Sequence, residues 1–234
     1  MATIKVKVTK KKVNTKKIIL ALLILIFIFL IVDHIIHIPL KNIYITNNKI
    51  LSDKEIIELS NLENYPSYIK TYFIDIKGKL LENDYIKDVK IKRKLPSKIY
   101  IEIEEYKPIA IYNKKVILSS KKIVNNDHNI DYIPYVTNNI EEIYDRFIDS
   151  FSKINDDVLV KISHIEYTPN DVDKERFILY MVDSNYVYIT LSKIEKLNKY
   201  NSIVNQLDNK KGIIYLDSGD YLEIKDWHNS INII

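Results

Sequence analysis

The chain has 234 residues, with 35 Lys and Arg against 31 Asp and Glu, so its formal net charge at pH 7 is +4. Because it contains no cysteine, it cannot form a disulfide, bind a metal through thiolates or use a thiol nucleophile. Residues 1–17 carry seven lysines and no acidic residue, so the rest of the chain is net acidic. A lysine cluster beside an apolar segment is typical of membrane topology and anionic lipid, which argues against nucleic acid as a partner.

An unbroken apolar run from Ile18 to Val32 follows the lysines. Insertion of its Leu, Ile, Phe and Val side chains at the bilayer centre is favoured by about −4 to −8 kcal/mol. At about 1.5 Å per residue the run spans roughly 22 Å of a hydrocarbon core of roughly 30 Å. The sequence therefore predicts a transmembrane helix over residues 18–38, with Asp33, His34 and His37 in the far headgroup zone.

The lysines also predict the orientation of this helix. Positively charged residues stay on the cytoplasmic side, so we predict a cytoplasmic basic tail over residues 1–17 and an extracytoplasmic region over residues 39–234. A secretory signal peptide has the same basic-then-apolar order, but residues 33–37 offer no small-residue cleavage site. The segment is therefore predicted to be an uncleaved anchor, with membrane lipid as one partner.

The outer region begins with the order strand, helix, helix, strand, strand. An alternating strand over residues 42–46 precedes a capping box at Ser52 and Glu55, which predicts a helix that starts at Ser52. Residues 71–85 carry apolar side chains at spacings of three and four, which predicts a second amphipathic helix. Two alternating strands then flank a turn at residues 93–97, and they predict an antiparallel pair with one apolar and one charged face.

These residues carry a family resemblance. Residues 45–52 (ITNNKILS), 88–105 (DVKIKRKLPSKIYIEIEE) and 107–112 (KPIAIY) together resemble the FtsQ-type POTRA module of the bacterial FtsQ/DivIB division family. The chain departs from the family pattern at Asn47, where Gly is usual, and at Tyr106, which replaces a common Arg. Asn tolerates a left-handed turn, so the fold is expected to survive the first change. The resemblance implies a POTRA domain with the order β-α-α-β-β over residues 39–108.

Strands dominate the remainder, which resembles the β domain that follows POTRA in this family. We predict this domain over residues 109–225, mostly antiparallel with flanking helices, and a C-terminal tail over residues 226–234. The fold class is thus α+β behind a single N-terminal transmembrane helix. The predicted elements are strands at 110–113, 115–118 and 121–124, a helix marked by Ile143, Phe147 and Phe151, a segment at 158–167, a hairpin of 177–183 and 186–191 around Ser184-Asn185, one helix marked by Ile194, Leu197, Val204 and Leu207, and closing strands at 212–216 and 221–224.

The resemblance implies a scaffold of the division machinery, without catalysis, cofactor or small-molecule substrate. FtsQ-like proteins bind the bitopic coiled-coil partners FtsB (DivIC) and FtsL, and the trio regulates the septal peptidoglycan synthase. The implied location is the cell membrane, with enrichment at the division septum. The implied mode of binding is strand addition, in which an exposed sheet edge pairs with an incoming segment.

We place that edge on residues 213–222. The candidate partner-binding residues are Ile213, Tyr215, Asp217, Tyr221, Leu222 and Trp227. The two tyrosines are the expected anchors because buried aromatic side chains dominate interface energetics, although both could simply pack the sheet. Trp227 could flank the interface or belong to a loosely held tail.

Rival chemistry has weak support in the sequence. Ser67-Tyr68-Ile69-Lys70 and Ser119-Ser120-Lys121-Lys122 fit the S-x-x-K box of cell-wall enzymes, but the companion S-D-N and K-T-G boxes are missing. His34 and His37 form H-x-x-H without a third ligand nearby, which favours interfacial residues over a zinc site. Asp171 and Asp173 lack the glycine of a calcium loop. We therefore predict no metal site and no enzyme.

A second hypothesis is a chaperone-like or transport-associated protein, because POTRA modules also occur in outer-membrane secretion systems. Such proteins carry several POTRA copies and a barrel. This chain shows one copy and no run of about ten alternating strands that ends in an aromatic residue. The division scaffold is therefore the favoured function.

Overall fold

The computed structural model describes residues 14–71, 73–206 and 211–224. The chain forms two compact units: the first contains residues 1–46, 53–80 and 90–102, and the second contains residues 47–52, 81–89 and 103–234. Most of the predicted basic tail, the predicted C-terminal tail and Trp227 lie outside the described residues. The predicted boundary between residues 108 and 109 stays a prediction.

The first helix, α1, spans Thr15–Ile36, and its residues from Ile18 to Val32 are apolar on all sides. An 18-residue window within it has a mean hydropathy of 3.1, and none of its 22 residues is buried, so α1 is long and apolar enough to cross a membrane. The predicted transmembrane helix is thus a continuous helix. At its end the ring of His37 lies 3.3 Å from the carboxylate of Asp33, one helical turn earlier.

The first unit is built on a three-stranded sheet with two helices, as the sequence predicts. The strands lie in the order β1 (Asn42–Thr46), β3 (Lys98–Glu105) and β2 (Ile86–Lys94), and β1 runs parallel to β3. The helices are α2 (Asp53–Leu59) and α3 (Phe73–Leu81). Alternation in β3 places its isoleucines inside and its charged residues outside. The buried core of this unit includes Ile56, Ile76, Leu80, Ile99 and Ile101.

The second helix of this region is shorter than predicted. Its apolar spacing suggested residues 71–85, but α3 ends at Leu81. The chain then turns, because the side-chain oxygen of Asn83 accepts the backbone N–H of Tyr85 at 2.9 Å. Asn competes with the helical backbone through hydrogen bonds of this kind, and the apolar periodicity could not show this.

A nine-stranded sheet forms the second unit. Its strand order is β12-β11-β10-β9-β8-β7-β4-β5-β6, with parallel pairs at β10–β11, β7–β8 and β4–β7 and antiparallel pairs elsewhere. The sheet is mostly antiparallel, as predicted. The strands are β4 (Pro108–Tyr112), β5 (Lys115–Leu118), β6 (Ile123–Asn125), β7 (Tyr135–Val136), β8 (Ile162–Tyr167), β9 (Arg176–Met181), β10 (Tyr186–Thr190), β11 (Gly212–Tyr215) and β12 (Tyr221–Ile224).

Helices cover one face of this sheet. A 3₁₀ turn at Glu141–Ile143 leads into α4 (Tyr144–Phe151), and α5 (Asp156–Leu159) follows. The fully buried rings of Phe147 and Phe151 lie 5.7 and 5.8 Å from the ring of Phe177 on β9. This aromatic cluster joins α4 to the sheet.

The predicted single helix around Ile194 is two helices. A 3₁₀ helix spans Leu191–Lys199 and α6 spans Tyr200–Asn205, while Leu207 lies outside the described residues. Leu191, Ile194 and Leu197 are all buried. A spacing of three aligns side chains on one face of a 3₁₀ helix, so this helix turns a single apolar face to the core.

Glu105, at the end of β3, closes the loop that follows β1. Its carboxylate accepts three consecutive backbone N–H groups, those of Lys49 at 2.8 Å and of Ile50 and Leu51 at 2.9 Å. Hydrogen bonds to an ionised acceptor are the strong ones. One carboxylate therefore binds three consecutive backbone N–H groups of this loop.

Candidate interaction edge

β12 is the outermost strand on its side of the sheet among the strands that the structure describes. It pairs antiparallel with β11, and all four of its residues are exposed. Tyr221 is 52% exposed and Ile224 47% exposed. An outer strand of this kind presents backbone N–H and C=O groups that another chain can pair with.

The strand next to it, β11, lies inside the sheet. It runs parallel to β10 on one side and antiparallel to β12 on the other. Ile213 and Ile214 are buried. A strand that is paired on both sides has no free backbone edge, so within the predicted region 213–222 the outer edge lies at Tyr221 and Leu222.

Three tyrosine rings stack across the last three strands. The rings of Tyr188 on β10 and Tyr215 on β11 are nearly parallel with centroids 5.1 Å apart, and Tyr215 stacks on Tyr221 at 4.4 Å. The Tyr215 hydroxyl donates to the carboxylate of Glu223, and desolvation followed by this hydrogen bond raises the pKa of Tyr215. Cross-strand aromatic pairs stabilise a sheet by roughly 0.2–1 kcal/mol each. The two predicted tyrosines thus lie side by side.

Asp217 serves the turn between β11 and β12. Nε of Arg176 donates to its carboxylate at 2.8 Å, while the same guanidinium lies 4.3 Å from the centroid of the Tyr188 ring. Burial favours a raised pKa for Asp217, but the hydrogen bonds from Arg176 and Ser218 and the charge of Arg176 outweigh it, so the pKa is lowered. Asp217 is therefore ionised at neutral pH and holds the turn in place.

Two lysines of the 3₁₀ helix hold the same turn. Nζ of Lys193 donates to the backbone oxygen of Asp217, and Nζ of Lys196 contacts both carboxylate oxygens of Asp220 at 2.5 and 2.7 Å. The turn that leads into β12 is thus bound by three cations. This arrangement fixes where the outer strand begins.

A buried polar network fixes the start of β11. The side-chain oxygen of Asn185, which is 2% exposed, accepts the backbone N–H of Gly212 at 2.9 Å. Its amide nitrogen donates to the Tyr200 hydroxyl at 3.2 Å, and that hydroxyl donates to the carboxylate of Asp183 at 2.8 Å. Desolvation and then the Asp183 hydrogen bond raise the pKa of Tyr200 strongly, so its proton is always present.

Sequence reasoning missed several residues that shape the edge: Arg176, Asn185, Tyr188, Lys193, Lys196, Tyr200 and Gly212. The alternation of Tyr186-Val187-Tyr188 was a signal for Tyr188, since it placed both tyrosines on one face. The others act through partners 12 to 41 residues away in sequence, such as the pairs Asn185–Gly212 and Arg176–Asp217, which local patterns cannot reveal.

The residues that fit rival chemistry have structural contacts. The Ser67 hydroxyl donates to the backbone oxygen of Ile36, and that of Ser119 accepts the backbone N–H of Lys107. Within the described residues no three His, Asp or Glu side chains are grouped to hold a metal ion. Asp173 accepts the N–H of Glu175 and so belongs to its own turn.

Comparison with known proteins agrees with this architecture. The family model for the FtsQ-type POTRA domain matches residues 38–106. The cell division protein DivIB of Bacillus subtilis (strain 168) is 31% identical over 195 residues, which are 79% of this chain and 73% of that protein. DivIB of Listeria monocytogenes serovar 1/2a is 28% identical over 194 residues, 79% and 72% of the two chains, and DivIB of Brevibacillus brevis is 27% identical over 189 residues, 76% and 71%.

Solved structures also match. One of them is the major extracytoplasmic domain of the trans isomer of the bacterial cell division protein DivIB from Geobacillus stearothermophilus, at 20% identity and a TM-score of 0.37. The match covers 45% of this chain and 96% of that one.

The fold and the comparisons define a class: a single-pass membrane protein that carries an FtsQ-type POTRA domain and a mostly antiparallel β domain. Within that class, the chain belongs to the DivIB family of bacterial cell division proteins. Its relatives are division proteins and are not known as enzymes.

Proposed function

We propose that the chain is a non-catalytic bitopic scaffold of the divisome, which binds FtsB/DivIC-like and FtsL-like partners and so helps to control septal peptidoglycan synthesis. Membership of the DivIB family supports a division role. The seven lysines of residues 1–17 support a cytoplasmic N-terminus and extracytoplasmic domains. Septal enrichment belongs to the same proposal.

The binding mode is supported by β12, the outer strand on its side of the described nine-stranded sheet, whose four residues are all exposed. An incoming extended segment would pair with its backbone and place alternate side chains against Tyr221 and Leu222. The stacked rings beneath Tyr221 and the cation-bound turn before it hold the strand in its extended form before a partner arrives. Such preorganisation lowers the entropic cost of binding.

Capture of a purified FtsB/DivIC-like partner by the full chain tests the binding mode. Tyr221→Lys should weaken capture at least tenfold while the melting temperature stays nearly unchanged, because the side chain is 52% exposed. Tyr132→Lys is a matched control, since Tyr132 is 51% exposed and lies outside the strands of the sheet. Equal capture by wild type and Tyr221→Lys would move the interface elsewhere.

Imaging tests the division role itself. An N-terminal fluorescent fusion in dividing cells should give a midcell band, and replacement of residues 39–234 by an unrelated domain should abolish that band. An even membrane outline for both fusions would mean that the outer domains do not recruit the protein to the septum.

A further inference from the structure

Two loops of the first unit are hydrogen-bonded to the segment that leaves α1. The backbone N–H of Tyr68 donates to the backbone oxygen of Ile38 at 2.9 Å, and that of Leu40 donates to the backbone oxygen of Pro66 at 2.8 Å. On the other side, the N–H of Lys41 donates to the backbone oxygen of Ser97 at 3.1 Å. We define residues 38–41, 65–70 and 94–98 as the membrane-proximal collar.

The collar is tied to the helix end itself. The Ser67 hydroxyl donates to the backbone oxygen of Ile36, the last residue of α1. The loop of residues 65–70 also contacts the end of β2, because the guanidinium of Arg93, just before residues 94–98, lies 5.0 Å from the centroid of the buried Tyr68 ring. The collar loops are therefore hydrogen-bonded to the chain on two sides where it leaves α1.

Helix length places the collar at the height of the lipid headgroups. A helix of 22 residues is about 33 Å long, which spans a hydrocarbon core of roughly 30 Å. Groups that bond to Ile36 and Ile38 lie immediately beyond that core. The headgroup layer on each side is roughly 5–7 Å thick, so the collar meets it directly.

The side chains of the collar fit such a layer. Leu95 is 81% exposed, Tyr65 71% and Ile69 42%, although all three are apolar or aromatic. Large exposed apolar side chains in one region mark an interaction surface. Tyr is moreover enriched at membrane interfaces, where its ring lies among headgroups and its hydroxyl meets water.

The charge of the collar has a single sign. Its three stretches contain Lys41, Lys70, Lys94 and Lys98 and no Asp or Glu. The first three of these lysines are exposed. Cations beside apolar side chains at a membrane surface attract anionic lipids, with a gain of about fivefold in affinity for each lysine near the surface.

We propose that this collar docks on anionic phospholipid headgroups of the leaflet from which α1 emerges. Leu95, Tyr65 and Ile69 enter the headgroup layer and the lysines pair with lipid phosphates. The first unit is thereby held against the bilayer surface. This inference requires the membrane anchor of the proposed function, but it does not require that the chain binds a division partner.

The absence of native cysteine allows a direct test on the full chain. Leu95→Cys, labelled with an environment-sensitive fluorophore, would be placed in nanodiscs of phosphatidylcholine and phosphatidylglycerol that contain a doxyl-labelled lipid. Emission from this site should shift to shorter wavelength and be quenched. Val172→Cys is the control, because Val172 is 96% exposed and lies in the second unit, and its label should behave as in water.

A label at Phe29→Cys within α1 separates failure of the anchor from failure of the collar. Quenching at Phe29 with identical, water-like emission at Leu95 and Val172 would overturn the collar and keep the anchor. No quenching at Phe29 would overturn the anchor and the collar with it.

Two lysine pairs test the charge. Lys70→Gln with Lys94→Gln, in the Leu95→Cys background, should remove at least half of the quenching that phosphatidylglycerol adds over pure phosphatidylcholine. Lys114→Gln with Lys199→Gln changes two exposed lysines of the second unit and should remove none. Equal quenching of the Leu95→Cys label in both lipid compositions, with all lysines intact, would overturn the proposed preference for anionic headgroups.

Discussion

A β-carbon on Gly212 would overlap the backbone oxygen of Glu223 on the neighbouring strand. It would also lie 3.1 Å from the carbonyl carbon of Glu223 and 3.2 Å from Cα of Ile224. Backbone atoms cannot move aside as a flexible side chain can. The outer strand therefore reaches its place only because position 212 has no side chain.

Gly212→Ala should consequently displace β12. We expect a loss of about 1–3 kcal/mol in the free energy of unfolding, as for other overpacked sites, and at least a tenfold loss in partner capture. Gly78→Ala is the matched control, since nothing lies within 4 Å of a β-carbon there. In α3 that change should stabilise the chain by about 0.5–1 kcal/mol and leave capture unchanged. Wild-type capture by Gly212→Ala would show that β12 is not needed for binding.

Removal of the Tyr200 hydroxyl from the buried network behind β11 should destabilise the chain. Tyr200→Phe removes the hydroxyl that donates to Asp183 and accepts from Asn185, and the amide nitrogen of the buried Asn185 thereby loses this acceptor. We expect a loss of about 1–3 kcal/mol in denaturant unfolding of the detergent-solubilised chain. Tyr180→Phe is the control, because the Tyr180 hydroxyl donates to Glu166 at a less buried site. Tyr180→Phe should lower the free energy of unfolding by less than about 1 kcal/mol. An equal loss in both variants would argue that the network at Tyr200 adds no special stability.

The ion pair of Arg176 and Asp217 predicts a dependence on acid. The pKa of Asp217 is lowered in the folded chain, so the native state binds fewer protons than the unfolded state. The stabilisation is present above the ordinary pKa of an aspartate and is lost as the pH falls through the folded pKa. Asp217→Asn should lower the melting temperature at pH 7 and flatten the decline of stability below about pH 4.

Asp220→Asn provides the comparison for this pH series. The ion pair of Asp220 with Lys196 has side-chain exposures of 53% and 41%, so it should contribute less than about 1 kcal/mol. If stability declines as steeply with falling pH in Asp217→Asn as in wild type, Asp217 does not cause the acid dependence.

Alternation predicted the strands of the first unit well because one face of them is exposed to solvent and the other is buried. The isoleucines and charges of Lys98–Glu105 point to opposite sides, as the period of two requires. Helix ends were less accurate: the Asn83 turn shortened α3 because side-chain hydrogen bonds compete with helical ones. The spacing of Leu191, Ile194 and Leu197 suits a 3₁₀ helix and an α-helix alike.

The sequence placed the candidate edge on residues 213–222, which cover parts of both β11 and β12, and did not say which of the two strands is the outer one. Gly212-Ile213-Ile214 is a continuous apolar run, which is typical of a strand paired on both sides, whereas Tyr221-Leu222-Glu223-Ile224 carries a charge and is exposed. That contrast is visible in the sequence, but strand order depends on contacts such as Tyr188 with Tyr215, 27 residues apart. The partner-binding roles of Ile213, Tyr215, Asp217, Tyr221 and Leu222 stay predictions.

Substitution of Glu105, at the end of β3, should destabilise the loop that follows β1. Its two oxygens accept the N–H groups of Lys49, Ile50 and Leu51. Glu105→Gln keeps one acceptor oxygen and replaces the other by a donor that faces an N–H, so a hydrogen bond becomes a repulsion. We expect a loss of about 2–3 kcal/mol in the free energy of unfolding and faster amide exchange at these three groups.

The neighbouring residue gives a control for this change. Glu104 lies one position earlier, and its carboxylate pairs with Lys87 at 2.6 Å with both side chains 52% exposed. Glu104→Gln removes the same charge from a solvated pair and should cost less than about 1 kcal/mol. Unchanged amide exchange at residues 49–51 in Glu105→Gln would show that the loop holds its shape by other contacts.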